Sequence, residues 1–374
     1  MSHFPLPFRL ALRGLGALKV LGLRQGEPLL PRLLFMGADP GEAVDALRRI
    51  RSTSGWVHEW TTLSDRHEEL GRLAVDRGDS VGAVESLTRA VAYLRVAEYL
   101  EVDEPARRLL WSRLVAVAGL VAEHSTPQVM RREMPVPTFL SLPPTEEPAP
   151  CVLTLGGVDG VKEEFFALLA AYADRGWAGV ALDLPGQGEL RRFGGVPWRA
   201  DAETVVSAVI DELVTMPEID PRRIIVVGGS AGGYFALRVA ATDHRIAGCA
   251  VISAPVRLLD VYESAPEPIP RTIRYNLGTE SDKTARQALR AFDAVPMLGD
   301  IDCPVLQVHG RQDGTVPISQ IAPVQAALGK RASVVVYPAG DHMCFNHRPV
   351  WEAALRGWLT EQFAHQCRTP CSNP

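Results

Sequence analysis

The sequence predicts an α/β protein whose mostly parallel sheet is preceded by a separate all-helical domain. Residues 1–126 carry the apolar spacing of helices, whereas residues 127–366 alternate short apolar runs with helical segments. Such alternation is typical of a parallel sheet covered by helices on both faces. One serine also lies in a glycine-rich turn between an apolar run and a helix. Residues 367–374 are polar and are expected to form a disordered tail.

The helical domain is predicted from apolar residues that recur every three or four positions, as on the buried face of a helix. Val84, Leu87 and Val91 show this spacing, and Asp79 or Ser80 is the expected N-cap of their helix. The predicted helices cover 41–50, 60–77, 80–100 and 103–123.

The sheet is predicted from short runs rich in Val and Ile, as in strands that are buried on both faces. These runs are 151–155, 178–182, 224–227, 249–252, 305–308 and 334–337, and two extra strands are expected near 133–137 and 139–142. The helical segments between them are 162–175, 202–216, 232–241 and 318–328. An insertion of about fifty residues, 253–303, contains a predicted helix at 281–292 and is expected to form a lid or a site wall.

Composition and charge exclude several classes of protein. The formal net charge is -5 without a long basic run, which argues against nucleic-acid binding. No stretch reaches the roughly 18 apolar residues of a membrane span, and residues 4–23 are predicted as an amphipathic helix. The six cysteines lack metal-ligand spacing. We therefore expect a cytoplasmic protein that uses no metal or cofactor and acts on a small molecule. The sequence is compatible with either a monomer or a homodimer.

The turn at residues 228–233 carries the strongest chemical signal. Its G-x-S-x-G pattern places Ser230 between a predicted strand and a predicted helix. A sharp turn there lifts the serine oxygen out of the sheet, and the helix N-terminus favours negative charge that develops beside it. A phosphate-binding loop would require a lysine that this motif lacks. The pattern therefore predicts the α/β-hydrolase fold with Ser230 as nucleophile.

Asp313 and His342 each follow a later predicted strand, in the chain order serine, acid, histidine that this fold uses. We expect His342 to take the serine proton and Asp313 to orient the imidazole ring. Asp341 is an alternative acid, but it adjoins the histidine and is predicted as a turn residue. His309 is an alternative base and is predicted to support its own turn instead.

Two backbone N–H groups are needed to bind the oxyanion that forms on an attacked carbonyl. Ala231, directly after the nucleophile, is the first expected donor. The second is expected from the turn at 156–158, with Val158 as the donor and Gly157 allowing the backbone to approach. The turn at 183–188 is predicted to be structural only.

Four short strings carry a resemblance to a known family. They are Gly-Gly-Val-Asp at 156–159 followed by Lys-Glu-Glu at 162–164, Pro-Gly-Gln-Gly-Glu at 185–189, the Gly-x-Ser-x-Gly-Gly turn and Gly-Asp-His-x-Cys-x-Asn at 340–346. With them the chain resembles the dihydroxypseudooxynicotine hydrolase family, including fungal polyketide-shortening hydrolases of pigment synthesis, with FrsA-like esterases more distant. The resemblance implies a helical domain that closes over the active site as a lid. It also implies hydrolysis of a carbon–carbon bond next to a ketone, or of an ester.

The expected substrate is a medium-sized, largely apolar ketone or ester of secondary metabolism or aromatic catabolism. Trp56 and Trp60 lie four residues apart and can share one helical face, where they would line a pocket or pack the helices. The candidate substrate-binding residues are Gly157, Trp56, His58, Trp60, Asp260, Glu263 and His347.

Two other classes of function fit the same scaffold. A non-hydrolytic cyclase, dehydratase or acyltransferase of natural-product synthesis is compatible with the same residues. A binding protein would keep the fold without the chemistry, but the intact set of Ser230, Asp313 and His342 argues against it.

Overall fold

The structure is a computed structural model that describes residues 29–101 and 103–368. The predicted helix at 4–23 and residues 369–374 of the predicted tail lie outside this part of the chain. None of the helices in the described part combines the length and the apolarity that a membrane crossing requires.

Contacts between residues divide the chain into two compact units. The helical unit extends to Met130 and also includes Glu163–Ala167. The sheet unit comprises Arg131–Lys162 and the chain from Leu168 onward. Each unit therefore draws on more than one stretch of sequence.

The helical unit is built from α1 to α5, and side-chain caps begin four of these helices. The helices are α1 Leu30–Phe35, α2 Pro40–Arg49, α3 Thr53–Asp76, α4 Ser80–Ala97 and α5 Glu104–His124. The caps, each accepting a backbone N–H three residues on, are Asp39, Ser52, Asp79 and Asp103. Such a side-chain oxygen satisfies an amide that has no partner inside the helix. Between the two predicted alternatives for α4, Asp79 is the cap.

Aromatic side chains pack α3 against α4. The Trp60 ring stacks on the Tyr93 ring with centroids 5.8 Å apart, and Trp56 meets Trp60 edge-on at 5.6 Å. The Nε1–H of Trp56 donates to the carbonyl of Val96 at 2.8 Å. Pairs of this kind add about 0.5–1.5 kcal/mol beyond the area that they bury. The tryptophans thus stabilise the helical unit.

A buried cluster of charges joins α4 to other segments of the helical unit. Arg95 donates to Glu98 at 2.5 Å and to Glu164 at 2.8 Å, and its side chain is only 2% exposed. Arg32 also binds Glu164 at 2.9 Å, and Arg107 binds Glu98 at 2.8 Å. Each buried carboxylate therefore contacts two guanidinium groups, which offset the free energy of its desolvation.

Replacing Arg95 with methionine is expected to destabilise the helical unit by about 3–5 kcal/mol, because two buried carboxylates would lose a shared cation. Urea-induced unfolding followed by circular dichroism would measure the loss. The matched control is Arg48→Met, since Arg48 and its partner Asp45 are each 61% exposed. That control should change the free energy of unfolding by less than about 0.5 kcal/mol. Equal stability of both variants would contradict the prediction.

The sheet has eight strands in the order β1-β2-β4-β3-β5-β6-β7-β8. They are β1 Val129–Glu133, β2 Pro137–Ser141, β3 Ala149–Leu155, β4 Ala178–Leu182, β5 Ile219–Gly229, β6 Ile246–Ile252, β7 Val305–Gly310 and β8 Ala332–Tyr337. β2 pairs antiparallel with β4, and β3 to β8 pair in parallel. The carboxyl ends of these parallel strands consequently lie at one edge of the sheet, where sites form in open α/β folds.

The strand predictions hold for the parallel part of the sheet and are displaced in the first two strands. Each of the six runs rich in Val and Ile lies within one of β3 to β8. The strands expected at 133–137 and 139–142 begin earlier, and Pro135 lies in the turn between them. Proline cannot donate a hydrogen bond to a neighbouring strand, so the chain turns there.

Helices separate most of the strands. They are α6 Phe166–Ala173, α7 Gly188–Arg192, α8 Glu203–Leu213, α9 Ala231–Thr242, α10 Leu258–Ser264, α11 Ile269–Leu277, α12 Asp282–Leu289, α13 Ile321–Leu328 and α14 Arg348–Arg368. The insertion forms α10 to α12, of which only α12 was predicted. The segment before α11 is rich in proline, a pattern that ordinarily breaks helices. Pro270 instead lies in the first turn of α11, where a backbone N–H would have no acceptor within the helix, so the missing N–H of proline costs nothing.

Candidate active site

Ser230 lies in a sharp turn between β5 and α9. Its backbone has φ 52 and ψ -124 degrees, a region that residues other than glycine rarely adopt. The N–H of Ser230 donates to the carbonyl of Ile252 at 2.8 Å. A Cβ atom on Gly232 would lie 2.2 Å from the carbonyl oxygen of Leu155, so a larger residue would not fit there. The glycine pattern around the serine therefore serves close packing of the backbone.

His342 joins Ser230 to Asp313. Its Nε2 lies 3.1 Å from the Oγ of Ser230, and its Nδ1 lies 2.9 and 3.0 Å from the two carboxylate oxygens of Asp313. Ser230 follows β5, Asp313 follows β7 and His342 follows β8, and the carboxyl ends of these strands share one edge of the sheet. An imidazole in this position can accept the hydroxyl proton while the carboxylate stabilises the imidazolium.

Asp313 is buried and held in its ionised form. Burial by itself would raise the pKa of its carboxyl, but the hydrogen bond to His342 and those from the backbone of Val316 and Thr315 lower it below its usual value. The N–H groups of Thr315 and Val316 each donate to Oδ1 at 2.8 Å. Because the carboxylate stays charged, it accepts a hydrogen bond from the Nδ1–H group and leaves Nε2 free to act on the serine.

The alternative acid and base lie in supporting positions. The backbone N–H of Asp341 donates to the side-chain oxygen of Asn346 at 3.1 Å, and the N–H of Asn346 donates to the carboxylate of Asp341 at 3.4 Å. In the part of the chain that is described, no hydrogen bond joins the carboxylate of Asp341 to His342. The Nε2 of His309 donates to the carbonyl of Val316 at 2.9 Å, and burial lowers the pKa of this histidine. His309 therefore stays neutral and supports the loop that carries Asp313.

Ser253 contacts the histidine loop and was missed as a site residue. It is fully buried at the end of β6, and its Oγ accepts the N–H of Met343 at 3.0 Å. Both residues have positive φ, 50 degrees at Ser253 and 63 degrees at Met343. The only sequence signal was the place of this serine directly after a buried strand. Its contact holds the residue that follows His342.

The loop after β3, residues 156–160, lies beside Ser230. A Cβ atom on Gly157 would lie 3.2 Å from the Cβ of Ser230, so the loop backbone passes very close to the serine. Among the described residues, none accepts the N–H of Val158 or of Ala231. Binding of an oxyanion requires two N–H groups that are not already paired.

Lys162 is a buried lysine for which no role was predicted from the sequence. Its Nζ donates to Asp183 at 2.9 Å and to Glu189 at 2.6 Å, and its backbone N–H donates to Asp183 at 2.9 Å. Burial would raise the pKa of Glu189, but the charge of Lys162 and the hydrogen bonds from Arg131 and Lys162 lower it. Lys162 thereby fixes the chain just after the 156–160 loop to the turn that follows β4.

The remaining candidates for substrate binding occupy separate places. In the helical unit, Trp56 and Trp60 are buried in the packing of α3 and α4, and His58 is exposed. In the sheet unit, Asp260 accepts a hydrogen bond from Gln320 at 3.2 Å, Glu263 pairs with Arg286 at 2.5 Å, and the His347 ring stacks on Tyr337. No hydrogen bond or ring contact of the described residues joins Asp260, Glu263 or His347 to Ser230, Asp313 or His342. Their roles toward a substrate stay predictions.

The parallel sheet, the strained serine turn and the serine–histidine–aspartate contacts define an α/β-hydrolase of the serine-hydrolase class. Residues 164–366 match the prolyl oligopeptidase family. The chain belongs to this family, and it is an enzyme of the hydrolase class. The predicted fold class is confirmed.

Similar proteins agree with the resemblance that the four sequence strings indicated. The chain is 30% identical over 337 residues to 2,6-dihydropseudooxynicotine hydrolase of Paenarthrobacter nicotinovorans, covering 88% of this chain and 90% of that protein. A crystal structure of 2,6-dihydroxy-pseudo-oxynicotine hydrolase matches with a TM-score of 0.80 and 31% identity, over 88% of this chain and 94% of the other. The 20-hydroxy-prefusarin hydrolase of Gibberella moniliformis is 32% identical over 256 residues, which is 63% of this chain and 61% of that protein. The predicted resemblance is therefore confirmed.

Proposed function

We propose that Ser230 is the nucleophile of a hydrolase that attacks a substrate carbonyl, with His342 as base and Asp313 as the acid of the triad. The observation that carries this proposal is the continuous set of contacts from Oγ through the imidazole to a buried carboxylate. Each group is in the order and at the distance that general-base activation of a serine requires.

The reaction proceeds in two halves. The Oγ of Ser230 forms a bond to the carbonyl carbon while its proton moves to the Nε2 of His342, and the N–H groups of Ala231 and Val158 bind the resulting oxyanion. The bond to the leaving group then breaks, and the leaving atom takes the proton from His342. A water molecule, deprotonated by the same imidazole, attacks the acyl group and releases Ser230.

Carbon–carbon and ester cleavage make different demands on the same residues. An ester releases an alcohol, whereas a β-diketone releases a carbanion that its own carbonyl stabilises until His342 protonates it. Two relatives are named as hydrolases of 2,6-dihydropseudooxynicotine and of 20-hydroxy-prefusarin. These names favour a medium-sized, largely apolar ketone or ester as substrate.

The chain is expected to hydrolyse aryl esters, short acyl esters or β-diketones, and to act poorly on peptides and glycosides, because an apolar site excludes heavily hydrated substrates. Steady-state rates on a panel of these compounds would test the substrate class. The control is Ser230→Ala, which should remove the activity on every compound that the unaltered enzyme hydrolyses. Strong activity on peptides or glycosides, with none on the panel of ketones and esters, would contradict the proposed substrate class.

A further inference from the structure

Gln187 contacts the loop at 156–160 although it belongs to the turn at 183–189 after β4. Its side chain is buried, and its Nε2 donates to the carbonyl of Gly157 at 2.5 Å and to that of Gly156 at 3.1 Å. Its Oε1 accepts the N–H of Leu184 at 3.1 Å. One side-chain amide therefore joins the turn to the two glycine carbonyls beside the nucleophile.

The contact with Gly157 constrains a neighbouring donor. The carbonyl of Gly157 and the N–H of Val158 belong to the same peptide unit, which is planar and trans, so the two groups point in opposite directions. A side chain that holds the carbonyl on one side thus directs the N–H to the other. The carbonyl of Val158 is held as well, because the Nδ2 of Asn276 donates to it at 2.5 Å.

We infer that Gln187 is a positioning residue of the oxyanion hole, which orients the N–H of Val158 by holding the Gly157–Val158 peptide. This inference rests on the proposed function and extends it to a residue outside the triad. Gln187 does not touch the reacting atoms, and its effect on catalysis passes through the peptide group of the 156–160 loop.

The turn that carries Gln187 is itself firmly held. Asp183 accepts hydrogen bonds from both the backbone and the side chain of Lys162. Gly188 has φ 42 degrees, and a Cβ atom there would lie 2.0 Å from Asp183 Oδ2, so the turn closes tightly on that carboxylate. A rigid support is needed because a donor must meet the oxyanion within a few tenths of an ångström to stabilise it.

The test compares Gln187→Met with Gln307→Met. Gln307 is the matched control because it is equally buried and, within the described residues, its Nε2 has no hydrogen-bond partner. With p-nitrophenyl acetate, Gln187→Met is expected to lower kcat about 10- to 100-fold, while KM stays within about twofold, since the lost interaction forms mainly in the transition state. Gln307→Met should keep the kcat of the unaltered enzyme.

A second measurement separates orientation of the donor from a general effect on folding. A trifluoromethyl ketone adds to the serine and places an oxyanion in the hole, so its affinity for Gln187→Met should fall by the same factor as kcat/KM. Gln187→Glu is the second variant, because it keeps an acceptor for the N–H of Leu184 and loses the amide donor. It should lose at least as much kcat at neutral pH, because its carboxylate would repel the carbonyls of Gly156 and Gly157 instead of donating to them.

Two results would overturn the inference. In the first, Gln187→Met and Gln187→Glu keep the kcat and the ketone affinity of Gln307→Met while the unaltered enzyme is active. Only the role of Gln187 would then fail. In the second, the unaltered enzyme neither hydrolyses the ester nor reacts with the ketone, and the proposed function fails together with the inference.

Discussion

Replacing Ser230 with alanine is expected to lower turnover by about a thousandfold or more. In the proposed mechanism the hydroxyl supplies the nucleophile, and a water molecule in its place would not be held in position to attack the carbonyl carbon as Oγ is. The oxyanion N–H groups would remain and would support only a residual rate. The measurement is the steady-state rate on the substrate that the panel identifies, with intact-mass detection of fluorophosphonate labelling.

Ser141→Ala is the matched control for this substitution. Ser141 is also fully buried, and in the described part of the chain its Oγ has no hydrogen-bond partner. This variant should keep full turnover and full labelling, whereas Ser230→Ala should lose both. Near-normal turnover and labelling of Ser230→Ala would show that Ser230 is not the nucleophile.

Replacing Asp313 with asparagine is expected to lower kcat by about ten-thousandfold. The carboxylate accepts the Nδ1–H of His342 at 2.9 Å and so leaves Nε2 free to take the serine proton. An asparagine amide would place an N–H group opposite Nδ1 and favour the other tautomer. The backbone N–H groups of Thr315 and Val316 would still find an acceptor oxygen, so the loop should keep its conformation. Single-turnover kinetics would measure the fall in the acylation rate.

Asp341→Asn is the matched control, because Asp341 adjoins His342 in the sequence but binds the N–H of Asn346 instead. Asparagine keeps an oxygen for that contact, so we expect kcat to change by less than about tenfold. A large loss in Asp341→Asn with a small one in Asp313→Asn would reverse the assignment of the triad acid.

Local patterns in the sequence predicted the elements that depend on neighbours in the chain. Apolar spacing predicted the helices of the helical unit and the six parallel strands, because burial of one face sets the period of each element. The G-x-S-x-G string predicted the turn at Ser230, since its glycines are required by backbone contacts close to it. The positions of Asp313 and His342 after strands indicated that they would lie at the same edge of the sheet, where the structure brings His342 into contact with both the serine and Asp313.

Other features depended on contacts between distant parts of the chain. The first two strands were misplaced because Pro135 lies in the turn between them. α11 was not predicted because proline breaks the interior of a helix but is tolerated in its first turn. Ser253 had no pattern that marked its contact with Met343, which lies 90 positions later.

The sequence by itself determined the class of fold, the serine turn and the candidates for acid and base, because each follows from local spacing and from strand ends. Only the tertiary structure decided what supports them. Gln187 reaches Gly157 across 30 positions, and Lys162 reaches Asp183 across 21. Hydrogen bonds of this kind form where separate loops meet at the edge of the sheet. The distance between two such loops is set by the packing of the whole sheet unit rather than by the residues beside each loop.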